Sequence, residues 1–505
     1  MYPIDFFLRA AARFPDRVAL DTPAGAWTYA RLRSEVQALA AAFQELDPAP
    51  QSRVAICAGN TAQHVVALLA VLASGKVWVP LNYRSTAPEI ARIVDATQPG
   101  IVCTDDTGSA LVQPGGAAHI RLDPDGRAET DPRALAGLLR AYAGREPRRC
   151  EPGVDATQAI KFTGGTTGLP KGVMQPYRAW TAVIVNQIHA WQLTSADRYV
   201  VAAPVTHGTS TYLLPVLAQG GAHVFLEETS PASITTAFRE RGGTLAFMPP
   251  TLIYMLMAQP GVSRADFPQL RNLIYGGAPM PVDKLAQVQA FFGPVVGSTY
   301  GQTESPQIVT AITPAELADP ANHGSVGCAT WFSEFAIMDR QGRLLPAGQP
   351  GEVVVRGDLV MAGYWRLPEK TAETIVDGWL HTGDVGVVDE RGYLFIKDRL
   401  RDVIITGGFN VYPIDVENAL ARHPAVYECS VFGVPDDKWG EAVQAAVQLH
   451  PDASVEPHAL MAFVREKLGP VHTPKRIHVF DSLPRSSVGK VLKNAVRETV
   501  MKELA

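Results

Sequence analysis

The stretch Thr163-Gly-Gly-Thr-Thr-Gly-Leu-Pro-Lys-Gly172 decides the fold. It follows the short apolar run Ala159–Phe162 and precedes a segment of helical pattern. Its glycines let backbone N–H groups curl around phosphate oxygens, and its threonine hydroxyls add donors. Lys171 supplies positive charge. The stretch is not a Gly-Lys-Ser/Thr phosphate loop, because Pro170 precedes Lys171 and Gly172 follows it. A flexible surface turn is the plain alternative.

The same order of apolar run, Gly/Pro/Ser/Thr loop and helical segment recurs on either side. Tyr199–Ala203 leads into PVTHGTS, and Asn272–Tyr275 into GGAPMP. Such alternation predicts strand–loop–helix units around a largely parallel sheet, with ligands at the carboxyl ends of the strands. The first 150 residues alternate similarly, with a helix near Ala62–Ala73 and a strand near Lys76–Pro80. Residues 351–396, rich in glycine and short apolar runs, predict a smaller β region. The charged run Lys397–Asp402 lies between the apolar runs Tyr393–Ile396 and Val403–Ile405 and suggests a boundary; a solvated turn reads equally well from charge alone. Beyond it, helices at Pro413–Arg422 and Pro457–Leu468 and strands at Val426–Gly433 and Val443–Leu449 suffice for a compact α+β unit of about 100 residues. The expected architecture is α/β. A large N-terminal domain (1–398) has sheets flanked by helices plus a β subdomain. A hinge (399–402) joins it to a small, mobile α+β C-terminal domain (403–505).

Composition narrows the function classes. A chain of 505 residues exceeds the roughly 250–300 at which single cores stop growing. Net charge is −5 and no long basic run occurs, which argues against nucleic acid as a partner. Cys57, Cys103, Cys150, Cys328 and Cys429 are scattered without a C-x-x-C pair, so neither a zinc site nor a disulfide framework is suggested. Free thiols, together with an opening MYPIDFFLRAAARFPDR that lacks the pattern of a secretory signal, set the expectation of a cytoplasmic protein. The apolar run Val65–Ala73 is too short for a transmembrane segment.

TGGTTGLPKG resembles the phosphate loop of the adenylate-forming superfamily, and the resemblance continues in order along nearly the whole chain. Trp27-Thr-Tyr29, Gly75-Lys76, Pro80-Leu-Asn82, Tyr275-Gly-Gly-Ala-Pro279, Tyr300-Gly-Gln-Thr-Glu304, Trp379-Leu-His-Thr-Gly-Asp384, Arg399, Gly407-Gly408 and Leu483-Pro-Arg-Ser-Ser-Val-Gly-Lys490 all match. The branch it is most similar to is the acyl-CoA synthetases. These join a carboxylic acid to coenzyme A with ATP through an acyl-adenylate.

The resemblance implies roles residue by residue. ATP or AMP would be bound by Thr163, Gly164, Gly165, Thr166, Thr167, Gly168 and Lys171, by Gly276, Gly277 and Ala278, and by Tyr300, Gly301, Gln302 and Thr303. The Tyr300 ring would stack on adenine and the Thr303 hydroxyl would hold the α-phosphate. Asp384 would accept the ribose hydroxyls, with Arg399 at the ribose or phosphate. Glu304, a hard oxygen ligand, would hold the Mg²⁺ that accompanies ATP. Lys490 would bridge the attacking carboxylate and the α-phosphate, stabilising an in-line displacement electrostatically. His207 borders the acid and shifts with reaction stage in the family; Thr206 stands here where relatives commonly have an aromatic residue. The acid pocket would be lined by Thr206, His207, Tyr212, Gly277 and Pro306, with Trp180 and Trp191 on the neighbouring helix. Because the loops Thr206–Tyr212, Gly276–Ala278 and Ser305–Ile308 carry no Lys or Arg, a monocarboxylic acid is expected; Trp180, Trp191 and Tyr212 would suit an aromatic body or a medium acyl chain.

For the second step, Gly407 and Gly408 would let the pantetheine chain pass and Trp439 would meet the CoA nucleotide. Arg401 falls at the family's pivot, where Asp or Lys is usual. A stand-alone enzyme loading an acyl-carrier protein is the alternative, and a catalytically inactive binding protein a third. The partners expected are thus the acid, ATP and CoA. Whether the chain forms a homo-oligomer is left open by the sequence.

Overall fold

The computed structural model describes residues 1–123, 133–163, 171–485 and 491–504, with the side chains of 503 and 504 left aside. The phosphate-loop glycines and threonines Gly164, Gly165, Thr166, Thr167 and Gly168, and Lys490, lie outside the described residues.

Four sheets organise the chain. A seven-stranded sheet runs in the order Gly363–Tyr364, Lys171–Pro176, Thr157–Thr163, Val77–Pro80, Arg53–Cys57, Ile101–Thr104 and Ala118–Arg121. Its pairs from Thr157–Thr163 through Ala118–Arg121 are parallel, and those on the Lys171 side antiparallel. In a nine-stranded sheet the centre is again parallel: Val296–Tyr300, Asn272–Tyr275, Leu245–Met248, Arg198–Val200, Ala222–Val224 and Val18–Thr22 lie side by side. The strands read from the alternation are shared between two sheets, each with a parallel centre.

Helices fill the space between these sheets because their sequences leave no polar face. The helix Ala62–Ala73, AQHVVALLAVLA, buries Ala62, His64 and every residue from Val65 to Leu72, the fate of a segment apolar all round. One core runs through Trp78 and Ala159 of the first sheet, Tyr199, Leu245 and Ile274 of the second, and Trp180, Ile184, Leu213 and Val216 of the helices between them. Strand ends from both sheets consequently open onto one cleft.

The expected β region is a five-stranded antiparallel sheet built from Glu334–Met338, Gly351–Arg356, Ile375–Val376, Trp379–Val388 and Leu394–Arg399. The Leu394–Arg399 strand extends three residues past the expected Ile396, since Arg399 still pairs opposite Asp384. A single 3₁₀ turn, Leu400–Asp402, separates it from the last sheet, whose strands all lie beyond residue 403. That last sheet, with the helices Pro413–Ala421 and Pro457–Leu468, has its own core around Val416, Leu420, Val431, Val443 and Leu460. Among the described residues no helix is long and apolar enough to cross a membrane.

Candidate active site

Tyr300 ends a strand of the nine-stranded sheet, and the chain turns at once through Gly301-Gln302-Thr303-Glu304. A Cβ on Gly301 would lie 2.6–2.9 Å from the Gln307 backbone, so only glycine lets the turn close. The turn faces Asp384, which is 4% exposed. Its Oδ2 accepts from the Tyr300 hydroxyl and from Gln302 Nε2, each at 2.6 Å, and its Oδ1 pairs with Arg399 Nε at 2.7 Å. Burial, then the neighbouring carboxylate, pushes the Tyr300 phenol well up, so it stays a donor. Asp384 is itself oriented from behind. Its N–H donates to Thr382 Oγ1 at 3.0 Å, Thr382 Oγ1 donates to the Val353 carbonyl, and the Gly383 N–H donates to Glu352 Oε1. The residues that the sequence assigned to adenosine thus meet across two sheets.

A second cluster stands where the phosphates are expected. Thr163 pairs opposite Lys171, so the ends of the phosphate loop are held by a two-stranded ladder. Lys171 Nζ lies 4.6 Å from the centroid of the Tyr364 ring, and the Tyr364 hydroxyl donates to Glu304 Oε1 at 2.9 Å. The Glu304 carbonyl accepts from the Met361 N–H. No group of three or more His, Cys, Asp or Glu that could cage a metal occurs among the described residues. A half-exposed lone carboxylate beside a lysine fits Mg²⁺, which binds through one or two carboxylates plus substrate phosphates and water. Tyr364 was not legible as a site residue; its strand reaches the phosphate loop only through sheet pairing with Val173.

Across the cleft, His207 precedes the helix Gly208–Ala218, its Nδ1 2.9 Å from Thr206 Oγ1. The residue is exposed to solvent. Desolvation by the protein around it, then the charges of Lys161 and Arg84, push its pKa down to about 4. His207 is therefore neutral near pH 7. Gly277 and Ala278 are at least partly exposed here, whereas Thr206 and Pro306 are buried.

Tyr212 is fully buried, its ring stacked between Tyr199 at 5.3 Å and Phe247 at 5.5 Å. Phe247, which the sequence did not single out, wedges between Gly208 and Gly276; a Cβ on either would come within 3.0 Å of its ring. Trp180 and Trp191 are 3% and 1% exposed, and Trp191 packs on Gly297 at the far end of its helix. The expectation of a pocket without a cation came from the loops alone. Lys161, within the Thr157–Thr163 strand, brings an ammonium to Ser210 on the helix that His207 precedes.

In the last domain Gly407 and Gly408, with φ of 57° and 82°, form the tight turn of a hairpin between Ile404–Thr406 and Phe409–Val411. The hairpin tip faces solvent. Trp439, 39% exposed, packs on Gly407 and has Lys438 and Lys475 ammoniums 4.8 and 5.4 Å from its ring centroid. Arg401 is half-exposed and, among the described residues, its one ion pair is to adjacent Asp402 at 3.6 Å.

A family model for AMP-binding enzymes matches residues 7–365, and a model for the AMP-binding enzyme C-terminal domain matches residues 415–490. A feruloyl-CoA synthase from Amycolatopsis is 35% identical over 499 residues, covering 97% of each chain. A fatty acid–[acyl-carrier-protein] ligase, ScoC, from Streptomyces coeruleorubidus is 33% identical over 93% of this chain and 91% of its own. ATP-bound MatB from Rhodopseudomonas palustris superposes with a TM-score of 0.90 at 30% identity, over 99% of both chains.

Glu304→Gln keeps an acceptor for Tyr364 but removes a charge beside the phosphates. It should raise the Mg²⁺ concentration needed for turnover while leaving the melting midpoint unchanged. Equal activity at every Mg²⁺ concentration would show that Glu304 is not the ligand.

Proposed function

The chain belongs to the AMP-binding enzyme family, and we infer that it is an ATP-dependent, AMP-forming acid–thiol ligase, an acyl-CoA synthetase. The observation that carries this is the meeting of Tyr300, Gln302, Asp384 and Arg399 beside Lys171, Tyr364 and Glu304. A carboxylate oriented for a ribose diol sits next to a cation and a metal-binding carboxylate for phosphates. In the first half-reaction the acid's carboxylate attacks the α-phosphorus of ATP, and the P–O bond to pyrophosphate breaks. No general base is needed, because the acid is already ionised at neutral pH. Neutral His207 borders the acid without placing a charge there. Lys490 supplies the cation for the transition state; Glu304 would hold the Mg²⁺ that accompanies ATP, which would offset the charge of the leaving group.

In the second half-reaction the CoA thiolate attacks the acyl carbon and AMP leaves. The solvent-facing Gly407-Gly408 hairpin must then reach the cleft, by rotation of residues 403–505 about Arg401 within the segment 399–402. Trp439, flanked by two ammoniums, offers a stacking face and charge for the nucleotide end of CoA. The acid is a monocarboxylic aromatic or medium-chain one, read from loops around His207, Gly277 and Pro306 that carry no Lys or Arg and from the apolar Phe247 packed on Gly208 and Gly276. Loading of an acyl-carrier protein is the second reading, favoured by the similarity to ScoC. A pyrophosphate-release screen over fatty acids, benzoates, cinnamates and dicarboxylates, with CoA, with carrier protein and with neither, tests acid and acceptor together. CoA-independent multiple turnover for every acid would overturn the ligase reading, and a dicarboxylate preference would overturn the pocket reading.

Lys490→Ala should slow adenylation by about 100- to 1,000-fold, the usual loss on removing one transition-state donor. Thioester formation from pre-made acyl-adenylate should change little; equal loss in both half-reactions would remove Lys490 from its role. Arg401→Pro fixes φ near −65° and should give near-normal adenylate with poor thioester formation. Normal acyl-CoA production by that variant would show that the pivot lies elsewhere.

A further inference from the structure

Lys161 stands two residues before Thr163, and its side chain is 9% exposed. Its ammonium lies 4.9 Å from the ring centroid of Trp78 and 5.1 Å from that of Trp180. Among the described residues it donates one hydrogen bond, to Ser210 Oγ at 3.0 Å, and no carboxylate offsets its burial. Two indole faces recover part of that cost by cation–π attraction.

The contacts continue outward from both sides of this ammonium. Ser210 Oγ donates to the His207 carbonyl at 2.7 Å. On the other side, the Trp180 indole N–H donates to Gln175 Oε1 at 3.2 Å, and Gln175 Nε2 donates to the Thr303 carbonyl at 2.8 Å. One buried charge therefore stands between the turn that carries His207 and the turn that carries Thr303, at the root of the strand feeding the phosphate loop.

We propose that Lys161 is a positioning residue for adenylation, tying the acid's side of the cleft, through Ser210, to the strand that presents the phosphate loop. The inference rests on the cleft being an adenylation site.

The charge on Lys161 makes this tie sensitive to pH. Burial pushes its pKa down to about 7. The groups facing it are Trp78 from the neighbouring strand, Trp180 from the helix Tyr177–Ala190, and Ser210 and His207 from the start of the next helix, with Arg84 beyond His207. His207, held near 4, is already neutral in this range. Below about pH 7 the ammonium is charged and the tie is tight; above it the cation–π attraction is lost and the tie loosens.

ATP–pyrophosphate exchange without CoA, followed from acid to alkaline pH in the parent chain and in Lys161→Met, Lys161→Arg and Ser210→Ala, tests this. The parent should show KM for the acid rising as pH passes the Lys161 pKa, with KM for ATP nearly constant. Lys161→Met should lose about 10- to 100-fold in kcat/KM for the acid, as expected of misplacement by an ångström or less, and should lack the limb. Lys161→Arg keeps its charge throughout and should recover activity without the limb. Should Lys161→Met not fold, Ser210→Ala decides: it should raise KM for the acid and move the limb to lower pH, since a bond to the charged amine is gone. A parent-like limb and kcat/KM in Lys161→Met, or an unchanged acid KM in Ser210→Ala, would overturn the proposal. Absence of exchange in the parent with every acid would overturn the adenylation reading, and the proposal with it.

Discussion

Asp384 is a nearly buried carboxylate satisfied by three side chains from two distant stretches, and the geometry of the cleft depends on it. Tyr300 and Gln302 come from the end of the nine-stranded sheet, and Arg399 from the last strand of the β region. Removing these donors would leave a charge in a place that water barely reaches, which is costly. The two sheets are thereby joined, and the proposed ribose site, the β region and the start of the proposed hinge are linked through one carboxylate. Arg399 is 45% exposed, so the ion pair is partly screened; the buried hydrogen bonds from Tyr300 and Gln302 carry most of the fixing.

The same interaction bears on domain motion. Arg399 lies two residues before Arg401, so the fixed body ends where the proposed pivot begins. Among the described residues, two hydrogen-bonded links join the last domain to the rest. Arg422 pairs with Asp283 at 2.7 Å, both half-exposed, and the Ile414 N–H donates to Asp398 Oδ2 at 3.0 Å. Burial raises Asp398 to about 6, with Glu417 adding to the rise and Lys493 opposing it. An interface held by one exposed ion pair and one partly titrating carboxylate is compatible with rotation, whereas the Asp384 cluster is not. The proposed hinge falls between a strong junction and a weak one.

Much of this was legible in the sequence where chemistry and conformation coincide. Gly301 and the pair Gly407-Gly408 are visible because a close approach or a positive φ excludes other residues. The helix Ala62–Ala73 is visible because it has no polar face. Lys161, Tyr364 and Phe247 were not legible, and for one reason. Each sits in or beside a strand whose neighbours are set by sheet order, not by chain order. Reading the loops for charge missed Lys161 because its ammonium extends from within a strand, between Trp78 and Trp180. The sequence pattern implied strands and more than one sheet but not which strand joins which sheet, since periodicity records that a strand is buried and not which strand it adjoins.

The account stands on an acyl-adenylate formed in this cleft. Its most direct test uses an acid carrying ¹⁸O in both carboxylate oxygens, turned over with ATP and CoA, with the products read by mass spectrometry. Attack of the carboxylate on the α-phosphorus predicts one ¹⁸O in AMP and none in pyrophosphate, with the other ¹⁸O kept in the acyl-CoA carbonyl. Label in pyrophosphate or inorganic phosphate, or unlabelled AMP formed alongside acyl-CoA, would contradict it.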